Sequence, residues 1–369
     1  MKRVLILIKG LGRGGAEQLL ASAAPYLDTS RFEYEVAYLL PWKNALVPII
    51  ESAGLTVHCL DGARGPGWLG RLRTLVRARD IDLIHGHSPY AAIGARIALP
   101  HGSSPRMVYT EHNVWSRYRR ATYWGNVLTY PRNDHVFTVS ESVRESIEYP
   151  SPLRALLRMP PVETLYHGLD PAQVSKWTGS DGFRREMGIP EDAPVVVNVA
   201  NFKPHKGHIE LIRAVVEVRR AVPDVRFVLV GVGPLEAGAR EEARRLGVAD
   251  AVTFAGFRDD VPRVVSSGDV FTLASRHEGL SIALMEAMAL SRPVVVTRAG
   301  GLPEIVTDGV DGLLVPPGDV QGLARGLIAV LRDAPMRERL GRAARDRASR
   351  FDIRRTVARV EQVYEEVLG

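Results

Sequence analysis

A single cysteine, Cys59, stands in a chain of 369 residues, so no disulfide can form within it. That points to a reducing, cytoplasmic setting. Long apolar runs are missing as well, and no stretch reaches the roughly 18 residues needed to cross a bilayer. Met1-Lys2-Arg3 followed by Val4 to Ile8 looks like the start of a signal peptide, but Lys9 ends the run and no small-residue cleavage site follows. There is no low-complexity tract and no repeat of solenoid length. Acids are absent from one stretch: Arg64, Arg71, Arg73, Arg77 and Arg79 occur with no Asp or Glu among them, interleaved with Trp68, Leu69, Leu72, Leu75 and Val76. Two readings stand for 64–79. One is a basic amphipathic helix on an anionic membrane surface or a lipid-phosphate acceptor; the other is a helix packed on a sheet with its arginines in water. A net charge of +6 without patterning excludes a nucleic-acid partner.

What is present is the balance of a globular enzyme, 24% charged and 46% hydrophobic, in a chain long enough for two α/β domains with a cleft between them. Short apolar runs at Val4 to Ile8, Tyr34 to Leu40, Thr56 to Leu60, Asp82 to His87, Met107 to Glu111, His135 to Val139 and Glu163 to His167 read as strands alternating with helices. Such alternation predicts a parallel sheet covered on both faces. The pattern breaks between Asp170 and Pro194, then resumes with strands at Val195 to Ala200, Arg226 to Val230, Val252 to Gly256, Val270 to Leu273, Val294 to Thr297 and Gly312 to Val315. The expected division is 1–171 and 172–351, with 352–369 as a final amphipathic helix.

Chemistry concentrates between Ser275 and Glu304. A strand runs into a loop holding Glu278 and Gly279, and a helical pattern through Ile282, Leu284, Met285 and Met288 stops before Pro293. The N-terminus of such a helix is a seat for phosphate or sugar oxygens. Glu286 follows Glu278 at a separation of seven residues and falls among apolar neighbours, where a carboxylate wants a partner.

The pair Glu278 and Glu286, followed by Gly300-Gly301-Leu302-Pro303-Glu304, closely resembles the donor-site signature of the family 4 retaining glycosyltransferases, also called group 1. The resemblance continues through Gly14-Gly15-Ala16-Glu17, Tyr109 to Asn113, Val139 to Ser142, Leu165 to Asp170 and Asn198 to Gly207. It implies the GT-B fold, α/β with two Rossmann-like domains facing across a cleft, the first reading the acceptor and the second holding the donor, and a last helix crossing back to the first. It also implies transfer with retention from a nucleotide-diphosphate sugar, UDP- or GDP-linked, to a glycan, lipid-linked or small-molecule hydroxyl. No other cofactor is implied.

Site roles follow from the same resemblance. His112, Lys206 and Glu278 are expected at the reaction centre, with Lys206 neutralising the leaving diphosphate, Glu278 on sugar hydroxyls and His112 reaching the sugar from the first domain. Glu286 is expected on the ribose, and Gly14, Gly15, Gly279, Leu280 and Ser281 offer backbone to the donor. Gly233, Phe257 and Arg258 belong to loops around the nucleotide. Asn201 stands where the family carries Arg, so Lys203 is the candidate for the second cation; His167 replaces a usual Asn.

Three other readings are tested by the same residues. Gly10-Leu11-Gly12-Arg13-Gly14-Gly15 matches the fingerprint of a nicotinamide-dependent dehydrogenase, but the second strand ends Leu39-Leu40-Pro41-Trp42 without the acid that would hold a ribose. A zinc site from His85, His87 and His112 is disfavoured because alternate strand residues point to opposite faces. Asp80-Ile-Asp82 precedes a strand rather than following one, so no metal is expected. A noncatalytic sugar-nucleotide-binding protein is the third reading.

Overall fold

A computed structural model describes residues 1–12, 14–100, 102, 104–150, 154, 157–170, 173–174, 176–177 and 182–369, and of Arg64 the backbone alone. Arg13 of the glycine-rich loop and Pro171, at the expected domain boundary, lie outside the described residues. The chain divides into two units, Met1–Gly168 with Ile353–Gly369, and Leu169–Asp352.

In the first unit seven strands run β1 (Lys2–Ile8), β2 (Phe32–Tyr38), β3 (Thr56–Cys59), β4 (Leu83–Gly86), β5 (Arg106–Glu111), β6 (His135–Thr138) and β7 (Val162–Thr164), in the order β3-β2-β1-β4-β5-β6-β7. All pairings are parallel. Helices α1 (Gly15–Ala23), α2 (Val47–Ser52), α3 (Trp68–Ala78), α4 (Pro89–Ala98), α5 (Arg120–Thr129) and α6 (Glu141–Glu145) connect them. Period-two alternation decides what each face packs against. Val4, Ile6 and Val108 join the cluster with Leu20, Ile50 and Tyr364. Leu5, Leu7 and Met107 join Trp68, Leu72, Ala91 and Ala95.

The second unit repeats the arrangement with β8 (Val195–Val199), β9 (Arg226–Val230), β10 (Val252–Gly256), β11 (Val270–Leu273), β12 (Val294–Thr297) and β13 (Leu313–Val315), in the order β10-β9-β8-β11-β12-β13. Every pairing is again parallel.

Several strand ends differ from expectation by a residue or more, and two of them have a clear local reason. β2 stops at Tyr38 because the next two N–H groups, of Leu39 and Leu40, both turn to the Lys9 carbonyl. β7 is shorter and starts earlier than predicted; beyond it the chain leaves the sheet, and Leu169 bridges Asp352 instead. The final helix, Ile353–Leu368, groups with the first unit. Glu361 accepts from Tyr34 Oη (2.7 Å) and Asp28 N (2.8 Å), Tyr364 Oη meets His85 Nδ1 at 2.5 Å, and Arg359 holds Glu163.

The arginines of 64–79 whose side chains are described do not form a free basic stripe. Arg71 donates to the Leu60 and Asp61 carbonyls, Arg73 to the Ala98 carbonyl and Arg79 to Glu35. They staple α3 and its ends to neighbouring loops, leaving Arg77 without an acceptor among the described residues. The guanidinium fork is suited to this, since it bonds carbonyls while its aliphatic stem lies along apolar surface.

Candidate functional site

In an open parallel sheet, loops diverge at the carboxyl ends of the two strands where the order reverses, which leaves room for a ligand. Here those strands are β1 and β4 in the first unit and β8 and β11 in the second. The residues singled out from sequence fall on the loops that follow them, and on those after β5, β7, β9 and β10.

The loops after β8 and β11 are joined closely. Gly207 has φ of +68°, and a Cβ there would lie 1.9 Å from the Ala274 carbonyl oxygen. Arg276 N donates to the His205 carbonyl (2.8 Å). Gly300, with φ of +54°, lies against the Glu278 backbone, where a Cβ would come within 1.8 Å of its oxygen. No L-side chain fits either position.

That zipper brings together two residues 72 apart in sequence. Lys206 Nζ donates to both carboxylate oxygens of Glu278, at 2.6 and 2.5 Å. Their side chains are only 18% and 7% exposed, so the pair is shielded from water and the attraction exceeds that of a surface ion pair. The cation expected at the diphosphate and the acid expected at the sugar are thus each other's partner.

Gly279 and Leu280, both half-buried, lead into the helix Ile282–Ala289. Ser281 caps it, its hydroxyl accepting from Leu284 N at 3.3 Å. Glu286 lies on that helix between buried Met285 and Ala287, and its carboxylate has no hydrogen-bond or ion-pair partner among the described residues. Its surface is partly open, but the protein around it strips enough water to push the carboxyl up to about 7. The sign is set by its being raised above an ordinary 4.5: its stabilising contribution is fully present below that pH and is lost as pH rises through about 7. The thermal midpoint of the wild type should therefore fall relative to that of Glu286→Gln between pH 5 and 8; parallel curves would contradict the shift.

The loop after β9 packs on the one after β8. A Cβ on Gly233 would stand 2.5 Å from the Phe202 carbonyl oxygen, Phe202 N donates to Val232, and buried Phe202 stacks on His208 at 4.0 Å. Asn201 and Lys203 are presented from this pinned turn, Asn201 half-buried and Lys203 exposed, neither side chain bonded among the described residues. After β10, Phe257 is half-buried, while Arg258 is committed to Asp260 through two nitrogens and to Glu186 at 2.6 Å. Arg258 therefore anchors the short helix Phe183–Glu186, an engagement the motif did not suggest.

In the first unit Gly14 is the N-cap residue of α1 and Gly15 its first residue. The preceding loop is tied down by Leu11 N donating to the Lys43 carbonyl (2.7 Å). His112 follows β5. Its Nε2 meets His87 Nδ1 at 3.3 Å, and its ring is parallel to that of His167 within 3°, centroids 5.5 Å apart. Burial, reinforced by the neighbouring imidazoles, holds His112 and His87 well below the usual histidine range, so His112 offers a neutral donor and acceptor. His85 is structural, bonded to Tyr364 and Thr110.

Glu111 was not singled out from sequence. Fully buried, it accepts from Asn113 N (3.1 Å), Trp115 Nε1 (3.0 Å) and Tyr118 Oη (2.5 Å), and so fixes the loop that presents His112. An acid amid Tyr109, Trp115 and Tyr118 was the available signal. Among the described residues no group of three or more His, Cys, Asp or Glu could hold a metal ion. The acids at the start of β2 are spent on structure, Glu33 on Arg3 and Glu35 on His58 and Arg79.

Comparison with known proteins identifies the family. The family described as Glycosyl transferases group 1 matches residues 180–347, and that described as Glycosyltransferase Family 4 matches residues 13–173. N-acetyl-alpha-D-glucosaminyl L-malate synthase of Bacillus anthracis is 29% identical over 351 residues, 89% of this chain and 87% of that protein. Lipopolysaccharide core biosynthesis glycosyltransferase LpsE of Rhizobium meliloti is 36% identical over 171 residues, 45% of this chain and 49% of that protein. The crystal structure of Anabaena Alr3699/HepE in complex with UDP and glucose superposes with a TM-score of 0.83 at 24% identity, covering 99% of this chain and 100% of that one. With both halves of the chain matched, this protein belongs to the family 4, group 1 glycosyltransferases and has the GT-B fold.

Proposed function

We propose that the chain transfers a sugar, with retention of anomeric configuration and without a metal ion, from a UDP- or GDP-sugar to a hydroxyl of a glycan, lipid-linked or small-molecule acceptor. The setting would be synthesis of a cell-surface polysaccharide or glycoconjugate. The second unit takes the donor and the first the acceptor. The observation that carries this reading is the Lys206–Glu278 pair, presented where the order of the second sheet reverses. A diphosphate competes for the Lys206 ammonium, and the Glu278 oxygens so released accept from hydroxyls of the sugar. Donor binding then exchanges one set of charge-assisted bonds for another, and the cation is already in place when charge develops on the leaving phosphate.

In the proposed step the bond from the anomeric carbon to the phosphate oxygen breaks on the face where the acceptor oxygen attacks. The acceptor proton passes to the departing phosphate. Lys206, Lys203 and the backbone N–H groups at the start of Ile282–Ala289 and at Gly14 and Gly15 stabilise that phosphate. Neutral His112 hydrogen-bonds the sugar, and Glu286, unpartnered among the described residues, takes the ribose hydroxyls. Membrane contact through 64–79 has less support, because Arg71, Arg73 and Arg79 are held by the protein itself.

Thermal shift separates this reading from its rivals. UDP or GDP should raise the melting temperature, by about 2.7 kcal/mol of stabilisation at 100 times Kd, and NADH should not. The reverse pattern would establish the dehydrogenase reading. Binding without any release of nucleotide from a sugar nucleotide would favour the noncatalytic one. A narrower expectation concerns the missing arginine: Lys203→Ala should weaken diphosphate affinity, because Asn201 carries no charge. If Lys203→Ala changes nothing while Asn201→Arg strengthens binding, the second cation is absent rather than relocated.

A further inference from the structure

Four imidazoles follow one another at the carboxyl end of the first sheet, and only His112 among them has a chemical role in the proposed transfer. His85 lies inside, 2% exposed, with both ring nitrogens taken, Nδ1 by Tyr364 Oη at 2.5 Å and Nε2 by Thr110 Oγ1 at 2.7 Å. This anchored ring packs on that of His87, the centroids 4.2 Å apart. His87 in turn meets His112, with centroids 5.6 Å apart and His87 Nδ1 at 3.3 Å from His112 Nε2. His167 lies parallel to the His112 ring but does not bond it, and its own Nε2 has no partner among the described residues.

Glu111 fixes the backbone beside His112, whereas His87 is the one group bonded to the His112 ring among the described residues. Burial keeps all four rings neutral, His87 and His112 well below the usual histidine range, His85 pushed down to about 3 and His167 to about 4. A bond between two neutral imidazoles holds one proton, which belongs to one nitrogen or the other. If His87 Nδ1 donates, both rings must take the Nδ1–H form, the less stable tautomer of a free imidazole side chain. If His112 Nε2 donates, both take the Nε2–H form, the more stable one. The second sense makes the same bond without a tautomeric cost on either ring, and it leaves His112 Nδ1 as a bare lone pair. That nitrogen has no partner among the described residues and is not sealed from solvent.

We infer that His87 is a positioning residue: it accepts the Nε2 proton of His112, fixes that ring in the Nε2–H tautomer, and so leaves the His112 Nδ1 lone pair to accept from a hydroxyl of the transferred sugar. An acceptor at this point, rather than a donor, suits a sugar ring on which positive charge develops as its bond to phosphate breaks. The inference rests on the transferase reading for the identity of the group that meets Nδ1; the tautomer is a property of the chain itself.

Nuclear magnetic resonance of the full chain with isotope-labelled histidine nitrogens reads the tautomer directly, the His112 signals being assigned by their loss in His112→Gln. In the wild type at neutral pH, His112 should carry its proton on Nε2 and leave Nδ1 bare. His87→Phe keeps a ring against His85 and removes the acceptor, so the second tautomer of His112 should appear. With it, kcat/KM for whichever UDP- or GDP-sugar the chain cleaves should fall about tenfold, the order of one net hydrogen bond. Calorimetric affinity for free UDP or GDP should stay unchanged. His87→Asn sets an amide oxygen close to the place of Nδ1 and should restore both tautomer and rate, while His87→Gln, whose amide reaches the place of Nε2, should restore neither. Unchanged melting temperatures show that the variants fold, and the Asn and Gln pair carries the test if His87→Phe does not. A proton on Nδ1 of wild-type His112, a His87→Phe variant with the wild-type tautomer and rate, or equal rescue by Asn and Gln would each overturn the inference, the last by making the contact one of packing alone. Should no sugar nucleotide be cleaved, the transferase reading falls and the nitrogen spectra still decide the role of His87.

Discussion

Lys206→Ala is expected to lower turnover about 100-fold or more, the order of loss when one positioned stabiliser of developing charge is removed. The structure adds a second effect that the leaving-group role alone does not contain. Glu278 is left with 7% of its side chain exposed and its cation gone, so the variant should also lose stability. Removing one partner of a buried pair costs about 3–5 kcal/mol, and the partial exposure of Lys206 places this site at the lower end. A combined variant, Lys206→Met with Glu278→Gln, separates the effects by removing the stranded charge. It should recover most of the melting temperature and none of the turnover. Turnover near the wild type in Lys206→Ala would remove the ammonium from the chemistry, and a double variant as unstable as the single would show that the loss was not electrostatic.

The carboxylates should divide nucleotide from sugar. Glu286→Gln is expected to weaken free UDP or GDP and the intact donor alike, since both carry the same ribose hydroxyls. Glu278→Gln should leave free-nucleotide affinity nearly unchanged and lower affinity or turnover for the donor, a charged acceptor to a hydroxyl being worth about 1.5–3 kcal/mol. The ion pair refines this: the amide holds Lys206 less firmly than the carboxylate, so any change in free-nucleotide affinity should be toward tighter binding. Calorimetric titration of both variants with nucleotide and with donor reads all four numbers. Equal loss of free nucleotide in the two variants would mean that the assignment is reversed or that the pair is structural.

Much of this molecule is written locally in the chain. Runs such as Val195 to Val199 and Val294 to Thr297 read as strands because both faces of a parallel sheet are covered. Glu278, Gly279, Ser281 and Glu286 are legible because one loop and one helix carry them. What escapes such reading depends on which strands become neighbours. Lys206 meets Glu278 only because β8 and β11 pair where the sheet order reverses, and His167 lies over His112 only because the chain after β7 returns to the end of β5. Charge engagement is hidden for the same reason. Nothing near Arg258 in sequence announces Glu186, and nothing near Arg73 announces the Ala98 carbonyl.

The central claim, a transferase that draws on a nucleotide-diphosphate sugar, is tested most directly by mass spectrometry of the chain incubated with a panel of UDP- and GDP-sugars, with and without simple hydroxyl acceptors. The account predicts that at least one donor is consumed by cleavage at the anomeric oxygen, releasing intact UDP or GDP in equal amount with free or transferred sugar, and that Lys206→Ala slows this about 100-fold. A panel in which no donor is cleaved, or in which cleavage falls within the diphosphate to give nucleoside monophosphate and sugar phosphate, would contradict it.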